Sequence, residues 1–509
     1  MRFFLPLILL SSVCAASEPV VLGYYPSWKR VKMDGVDFSK YTHMNIAFSI
    51  PNRDGTFSFE DDWALPQILD QIRSGGAKVL MSVGGWTGSN LLSDILKDAS
   101  ARKNLLSSMT DYVKDNKLDG IDIDWEYPGR QGNTCNIVDA QNDAPNFLSF
   151  LKDLRENFDA TFGNRKKLIT LAVRVQPFDK QENPMDDVSE FAKYVDYANI
   201  MAYDINGPWN SVTGPNAPLN YENNKGTPLS FVSAIDAWTN AKWPANQLVA
   251  GLAFYGRSTS AQQDMRKEIT NQYQPQKHEV PLGDSEDAPW YDACAGSTSA
   301  SGTWQWKNLR SQGVLTNQNT AAEPWVRTWD KVTQTPWLFN PETKIFLSYD
   351  DPESIKIKSD YAASRGLAGV MIWSSNMDYN GELVNAARSF DRESGGSANN
   401  GTLESNSESH ITSTSDTPIN SSKESSAHST QLSSSAASTL SSASATLTAN
   451  SSISTNAPTA SDSSNSSDET QKPSKPSDGT LTPGSACSEH ATYQCVDSNG
   501  KKRSILGVC

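Results

Sequence analysis

Carboxylates recur at every second position from Asp122 to Glu126 in the run Leu118-Asp119-Gly120-Ile121-Asp122-Ile123-Asp124-Trp125-Glu126-Tyr127-Pro128. In an extended strand alternate side chains share a face, so Asp122, Asp124 and Glu126 point one way while Ile121, Ile123 and Trp125 point the other. A solvated acidic face is the plain reading of such a pattern. It fails if the strand belongs to a closed barrel, whose alternate face is the interior, where carboxylates are costly unless they serve a purpose. Holding one cation suits them poorly, because the outer two lie roughly 13 Å apart along the backbone. Proton transfer by a buried carboxyl is the chemistry that remains.

Other chemistries find little support. Only His43 and His278 precede residue 394, and neither has a metal-ligand spacing. His43 is expected in or beside a strand as a satisfied polar residue. There is no glycine loop to cradle phosphate and no nucleophile elbow, so neither a cofactor nor a metal is expected.

The elements that must position the carboxylates are short β-branched and apolar runs at residues 20–25, 43–49, 78–83, 118–125, 168–175, 194–202, 248–255 and 367–373. Helical patterns at 65–72, 146–158 and 352–364 fall between them. Eight strands alternating with helices predict an α/β fold, a parallel (β/α)8 TIM barrel. The connection between strands seven and eight is far longer than the rest, which predicts an inserted α+β subdomain over about residues 258–346, carrying six Trp.

The spacing Asp-x-x-Asp-x-Asp-x-Glu at the end of a fourth strand resembles the signature of glycoside hydrolase family 18, the chitinases and their relatives. Further matching motifs are Ser82-Val83-Gly84-Gly85 with Trp86 after strand three, Met201-Ala202-Tyr203-Asp204 after strand six, Tyr255-Gly256-Arg257 ending strand seven, and Trp373 ending strand eight. Tyr24 and Phe48 close strands one and two. The resemblance covers about residues 20–390 and implies a retaining hydrolase of β-1,4-linked N-acetylglucosamine, acting on chitin and its oligosaccharides, with internal attack favoured over attack at chain ends.

It also implies roles. Glu126, nearest the C-terminal face, is the expected general acid, its proton retained through neighbouring carboxylates on the same face. Family 18 departs from the usual two-carboxylate scheme, in that the substrate's own N-acetyl oxygen attacks the anomeric carbon. Asp124 is then expected to stabilise the oxazolinium, Asp122 to share its proton and charge, Tyr203 and Asp204 to orient the acetamido group, and Trp373 to floor the distorted sugar. Tyr24, Phe48, Gly85, Trp86, Met201, Trp209, Tyr255 and Arg257 complete the expected substrate contacts. Trp86, Trp125, Trp209 and Trp290 are candidates for stacking sugar rings, although Trp125 has the parity to pack behind its strand. Asp119 lies off the acidic face and is expected to be structural. Two other readings share the motif: an endo-β-N-acetylglucosaminidase trimming N-glycans, and a non-catalytic sugar-binding lectin.

The 509 residues carry a net charge of −14, most of it ahead of residue 394. An acidic body without a basic face argues against nucleic acid as a partner. Residues 1–17 read as a cleaved secretory signal, with no membrane anchor and an extracellular destination that includes the cell wall. Of the 92 residues at 394–485, 43 are Ser or Thr and none is Phe, Trp or Tyr, which predicts a disordered stalk. Sequons at Asn400, Asn420, Asn450 and Asn465 suit its glycosylation. The catalytic body spans 18–393, and residues 486–509, with Cys487, Cys495 and Cys509, form a small module that weakly resembles chitin-binding ends of fungal chitinases. Cys135 and Cys294 are the simplest disulfide pair in the body, and a monomer is expected.

Overall fold

The computed structural model describes residues 19–33 and 35–390, and the backbone of two strands, Thr492–Val496 and Lys502–Leu506, which pair antiparallel. The expected signal, the stalk with its sequons and the rest of the C-terminal module lie outside the described residues. The chain divides into units at Met1–Ser407 and Glu408–Cys509.

Eight parallel strands close the barrel: β1 (Val20–Pro26), β2 (His43–Pro51), β3 (Lys78–Gly84), β4 (Gly120–Asp124), β5 (Leu168–Val173), β6 (Tyr197–Ile200), β7 (Leu248–Ala253) and β8 (Gly369–Trp373). Each pairs with its neighbour in chain order, and β1 closes the ring by pairing with both β2 and β8. The strands are apolar on both faces for two separate reasons. Val21, Ile46, Val79, Ile121 and Ile123 turn outward into the core under the helices. Val20, Leu22, Tyr24, Ala47, Val249 and Met371 fill the interior.

The covering helices follow from their sequence. Leu65–Ser74 buries Leu65, Ile68, Leu69 and Ile72, one stripe at helical spacing, and starts on Pro66 in its first turn. Pro352–Ser364 opens with a capping box: Asp351 accepts the Ser354 N–H at 2.9 Å, and Ser354 Oγ accepts the Asp351 N–H at 3.0 Å. Its Lys358 forms a buried ion pair with Asp350, each side chain 1% exposed. The β1–β2 connection departs from the pattern, with only the 3-10 turns Ser27–Lys32 and Phe38–Lys40.

Strand seven is shorter than its sequence suggests. β7 ends at Ala253, and Tyr255–Ser260 is already the first strand of the inserted sheet, paired antiparallel with Ile345–Ser348 and Thr303–Gln305. Thr335–Asn340 and Val326–Asp330 complete that sheet. The switch occurs at Phe254, whose N–H still bonds the Trp373 carbonyl of the barrel at 2.9 Å while its own carbonyl accepts Trp306 N–H at 3.0 Å. Because 248–255 stays apolar throughout, hydrophobicity gives no sign of this change of sheet.

Candidate active site

The barrel register sets Ser82, Asp122 and Thr170 side by side on β3, β4 and β5. Asp122 is fully buried, and both its oxygens are occupied. Oδ2 accepts from Tyr24 Oη at 2.8 Å and Ser82 Oγ at 2.7 Å, while Oδ1 accepts from Thr170 Oγ1 at 2.6 Å and Asn199 Nδ2 at 3.2 Å. Burial pushes its carboxyl up, and the Thr170, Ser82 and Tyr24 hydrogen bonds pull against that rise. Every one of these bonds to Asp122 comes from a side chain on another strand. Ser82, Thr170 and Asn199 were not singled out by sequence. Each is one polar residue in an apolar strand, and only the register brings them together.

Asp124 follows on the same face, 4% exposed, and its Oδ1 has no hydrogen-bond partner among the described residues. Burial first, then the charges of Glu126 and Asp122, hold it well above the carboxylate range. Glu126 lies just past the end of β4, 9% exposed. Its N–H bonds Ser89 Oγ at 3.2 Å, and its carbonyl accepts from Asn136 Nδ2. Its carboxyl is pushed up to about 7, chiefly by burial; a Tyr127 hydrogen bond opposes the rise and the charge of Asp204 adds to it. Burial leads, the charge of Asp204 in the loop after β6 adds to it, and Asp124 on the same face interacts with Glu126 as Glu126 does with it.

Tyr203 and Asp204 rise from that loop. Tyr203 Oη lies 3.7 Å from Met371 Sδ, and its ring meets Tyr255 edge-on at 6.1 Å. Asp204, at φ 56°, accepts from Tyr255 Oη at 2.8 Å and Arg257 Nε at 2.6 Å. Tyr255 and Arg257 belong to the insert, so one carboxylate joins it to the barrel. The Arg257 guanidinium also stacks 5.3 Å over exposed Trp209 and bonds the Ser301 carbonyl. Met201 packs among the interior residues of the barrel.

Half-buried Trp373 lies 5.3 Å from Tyr24 and stacks on Phe48 at 5.9 Å; Trp28 continues the stack at 6.0 Å from Phe48 and is 52% exposed. Trp28 was missed because it stands alone in a polar segment after β1. Gly84 and Gly85 both have positive φ; a Cβ on Gly84 would fall 2.2 Å from the Asp124 carbonyl oxygen, and one on Gly85 2.8 Å from the Phe48 ring. Trp86, Trp209 and Trp290 are exposed. Trp125 instead packs behind β4, edge-on to Phe147 at 5.3 Å. Asp119 accepts the Val79 N–H at 2.8 Å, an inter-strand tie.

His43 departs from expectation. It is buried in β2 with Nδ1 2.8 Å from Thr42 Oγ1, but Nε2 has no partner among the described residues, and burial pushes the ring down to about 3. Burial, with the charge of Lys78 adding to it, keeps the ring neutral. No group of three His, Cys, Asp or Glu among the described residues could hold a metal ion.

Residues 20–378 match the sequence profile described as glycosyl hydrolases family 18. A "chitinase-like effector" of Moniliophthora roreri is 35% identical over 405 residues, covering 75% of this chain and 97% of its own length. Chitinase A1 of Niallia circulans is 29% identical over 75% of this chain and 62% of its own. Among solved structures, a chitinase of Rhizomucor miehei at 35% identity superposes with a TM-score of 0.67 over 73% of this chain and 99% of that one.

Proposed function

Because the chain belongs to the glycosyl hydrolases of family 18, we propose that it hydrolyses the β-1,4 bonds between N-acetylglucosamine units of chitin with retention at the anomeric carbon. The observation that carries this reading is the Glu126 carboxyl, buried at the barrel mouth and pushed up to about 7, so that it still holds its proton in mildly acidic solution. Such a group protonates a glycosidic oxygen.

Glu126 and Asp124 are neighbours on one face of one strand, so they approach a bound sugar from the same side. A two-carboxylate retaining mechanism needs a nucleophile opposite the acid, and here the substrate's acetamido oxygen takes that part. Trp373 carries the sugar ring, Tyr203 and Asp204 hold the acetamido group, and Asp124 faces the positive oxazolinium as it forms. Asp122, fixed beneath by its four donors, shares proton and charge with Asp124. Glu126, now a carboxylate, then takes a proton from the water that opens the oxazolinium.

A second reading, which shares the carboxylate motif, is sugar binding without cleavage; two relatives are named chitinase-like effectors rather than chitinases. The presence of Asp122, Asp124, Glu126 and Tyr203 favours cleavage. The insert, with six Trp, favours a linear polymer over an N-glycan. The Cys135–Cys294 disulfide supports export, and we place the enzyme outside the cell, as a monomer, with its Ser/Thr-rich stretch as a glycosylated stalk.

Glu126→Gln should fold normally and lose at least about 10²-fold in turnover of a defined chitin oligomer. A time course with anomers resolved should show β-anomeric products first, and a sugar lacking its acetyl group at the cleavage position should not be cleaved. Near-normal turnover by Glu126→Gln would refute the reading.

A further inference from the structure

The Cys135–Cys294 disulfide joins two segments that leave the barrel at different places. Cys135 lies in the loop that follows β4 and Glu126. That loop is packed tightly over the acid: Asn136 bonds the Glu126 carbonyl, and a Cβ on Gly132 would fall 2.0 Å from the same oxygen. Cys294 lies in the insert, at the turn of the ribbon formed by Trp290–Asp292 and Ser297–Ser299, where Asp292 Oδ1 accepts its N–H at 2.8 Å.

The base of this ribbon is anchored elsewhere. Asp287 closes its neck by accepting the N–H groups of Ser301 and Gly302, at 3.1 and 2.9 Å. Ser301 is bonded to Arg257, and through it to Asp204 after β6. Glu286 is paired with Lys307 at 3.3 Å, and with Lys29 and Lys32, in the turn directly after β1, at 3.7 and 3.8 Å. β1 and β4 are three strands apart in a ring of eight, on nearly opposite rims. The backbone from Glu286 to Cys294 extends at most about 28 Å. Eight tilted strands enclose a mouth about 15 Å across at the backbone.

Ribbon burial indicates the route. A two-stranded ribbon lying on the rim would bury one face. Here Trp290, Tyr291, Ser297, Thr298 and Ser299 are all exposed, on both faces, and only Asp292 and, at the tip, Cys294 are half-buried. Such a ribbon is marginal by itself, and the covalent link is what holds its tip.

We infer that the disulfide-tethered ribbon 290–299 bridges the barrel mouth and turns an open cleft into a covered passage, so that polymer enters by threading an end rather than by settling sideways. This rests on the proposed chitin hydrolysis and alters one expectation from the sequence: attack proceeds from chain ends. The loop carrying Cys135 is held to Glu126 by Asn136 independently of the disulfide, so a substrate short enough to thread is indifferent to the link.

The test compares wild type with the Cys135→Ser/Cys294→Ser double variant on two probes, a short chitin oligomer and soluble carboxymethylated chitin. Turnover of the oligomer should agree within about twofold, while the loss of viscosity per reducing end released from the polymer should rise at least about fivefold in the variant. Equal ratios in two folded enzymes overturn the passage. A second arm uses wild type alone, so that misfolding of the variant leaves the idea exposed: a longer oligomer blocked at both ends by protein-sized groups should be cut at least about tenfold more slowly than the unblocked one. Equal rates overturn it. Failure of wild type to cleave even the short oligomer refutes the parent reading instead.

Discussion

Asp122 and Glu126 share a face and a barrel, and burial raises both carboxyls, but their surroundings differ. Four side chains donate to Asp122, which favours its anion, whereas Glu126 sits at the rim with its carboxyl raised to about 7. Two consequences follow from that raised value. As a general acid Glu126 must be protonated, so kcat/KM on a neutral oligomer should fall as pH rises through about 7, and a pH-rate profile would show it. The second concerns stability. Between 4.5, its ordinary value, and about 7 the unfolded chain has lost this proton while the folded one keeps it, so folding weakens with rising pH across that window. Glu126→Gln lacks the term. Thermal melts should therefore find the variant equal to wild type near pH 4 and more stable at pH 8, by up to roughly 3 kcal/mol. The carboxylates themselves were legible, since strand parity alone aligns them. Their supports were not: Ser82, Thr170 and Asn199 each look ordinary in their own strand until the register places them around one carboxyl.

At the scale of elements, all eight barrel strands could be read from apolar, β-branched runs, and three helices from their periodic stripes. Strand ends were less visible where a buried run continues past the turn. Phe254 and Tyr255 are as apolar as the strand before them, yet the chain changes sheets there, so Tyr255 and Arg257 enter the site from the insert. The return from the insert is fixed by Asp350 and Lys358, a buried pair joined also to Ser354. Removing one partner leaves a charge without compensation, so Lys358→Met should cost about 3–5 kcal/mol in denaturant unfolding. Adding Asp350→Asn to that variant should recover part of the loss, since the stranded carboxylate is then gone.

Over the whole molecule the family match ends at residue 378, and the first compact unit ends at Ser407. Everything that touches Glu126, Asp124 or Tyr203 among the described residues lies before that boundary. A chain ended after Ser407 should therefore match the full chain within about twofold on a soluble oligomer and melt at the same temperature. Unequal rates on the oligomer would mean that the C-terminal part contributes to the site. No described helix is long and apolar enough to cross a membrane. The Ser/Thr-rich stretch set apart by composition lies outside the described residues.

The common level of Ser82, Asp122 and Thr170 across three strands has a consequence for how the barrel forms. Sliding β4 by one residue would turn Asp122 and Asp124 outward against apolar helices and bring Ile121 and Ile123 in to face the stranded hydroxyls. Both halves of that error are penalised, one by carboxylates in a greasy layer and the other by polar groups left unmet. The groups proposed for catalysis thus proofread their own strand alignment during assembly, and a chain that has paired wrongly is unstable before it is inactive.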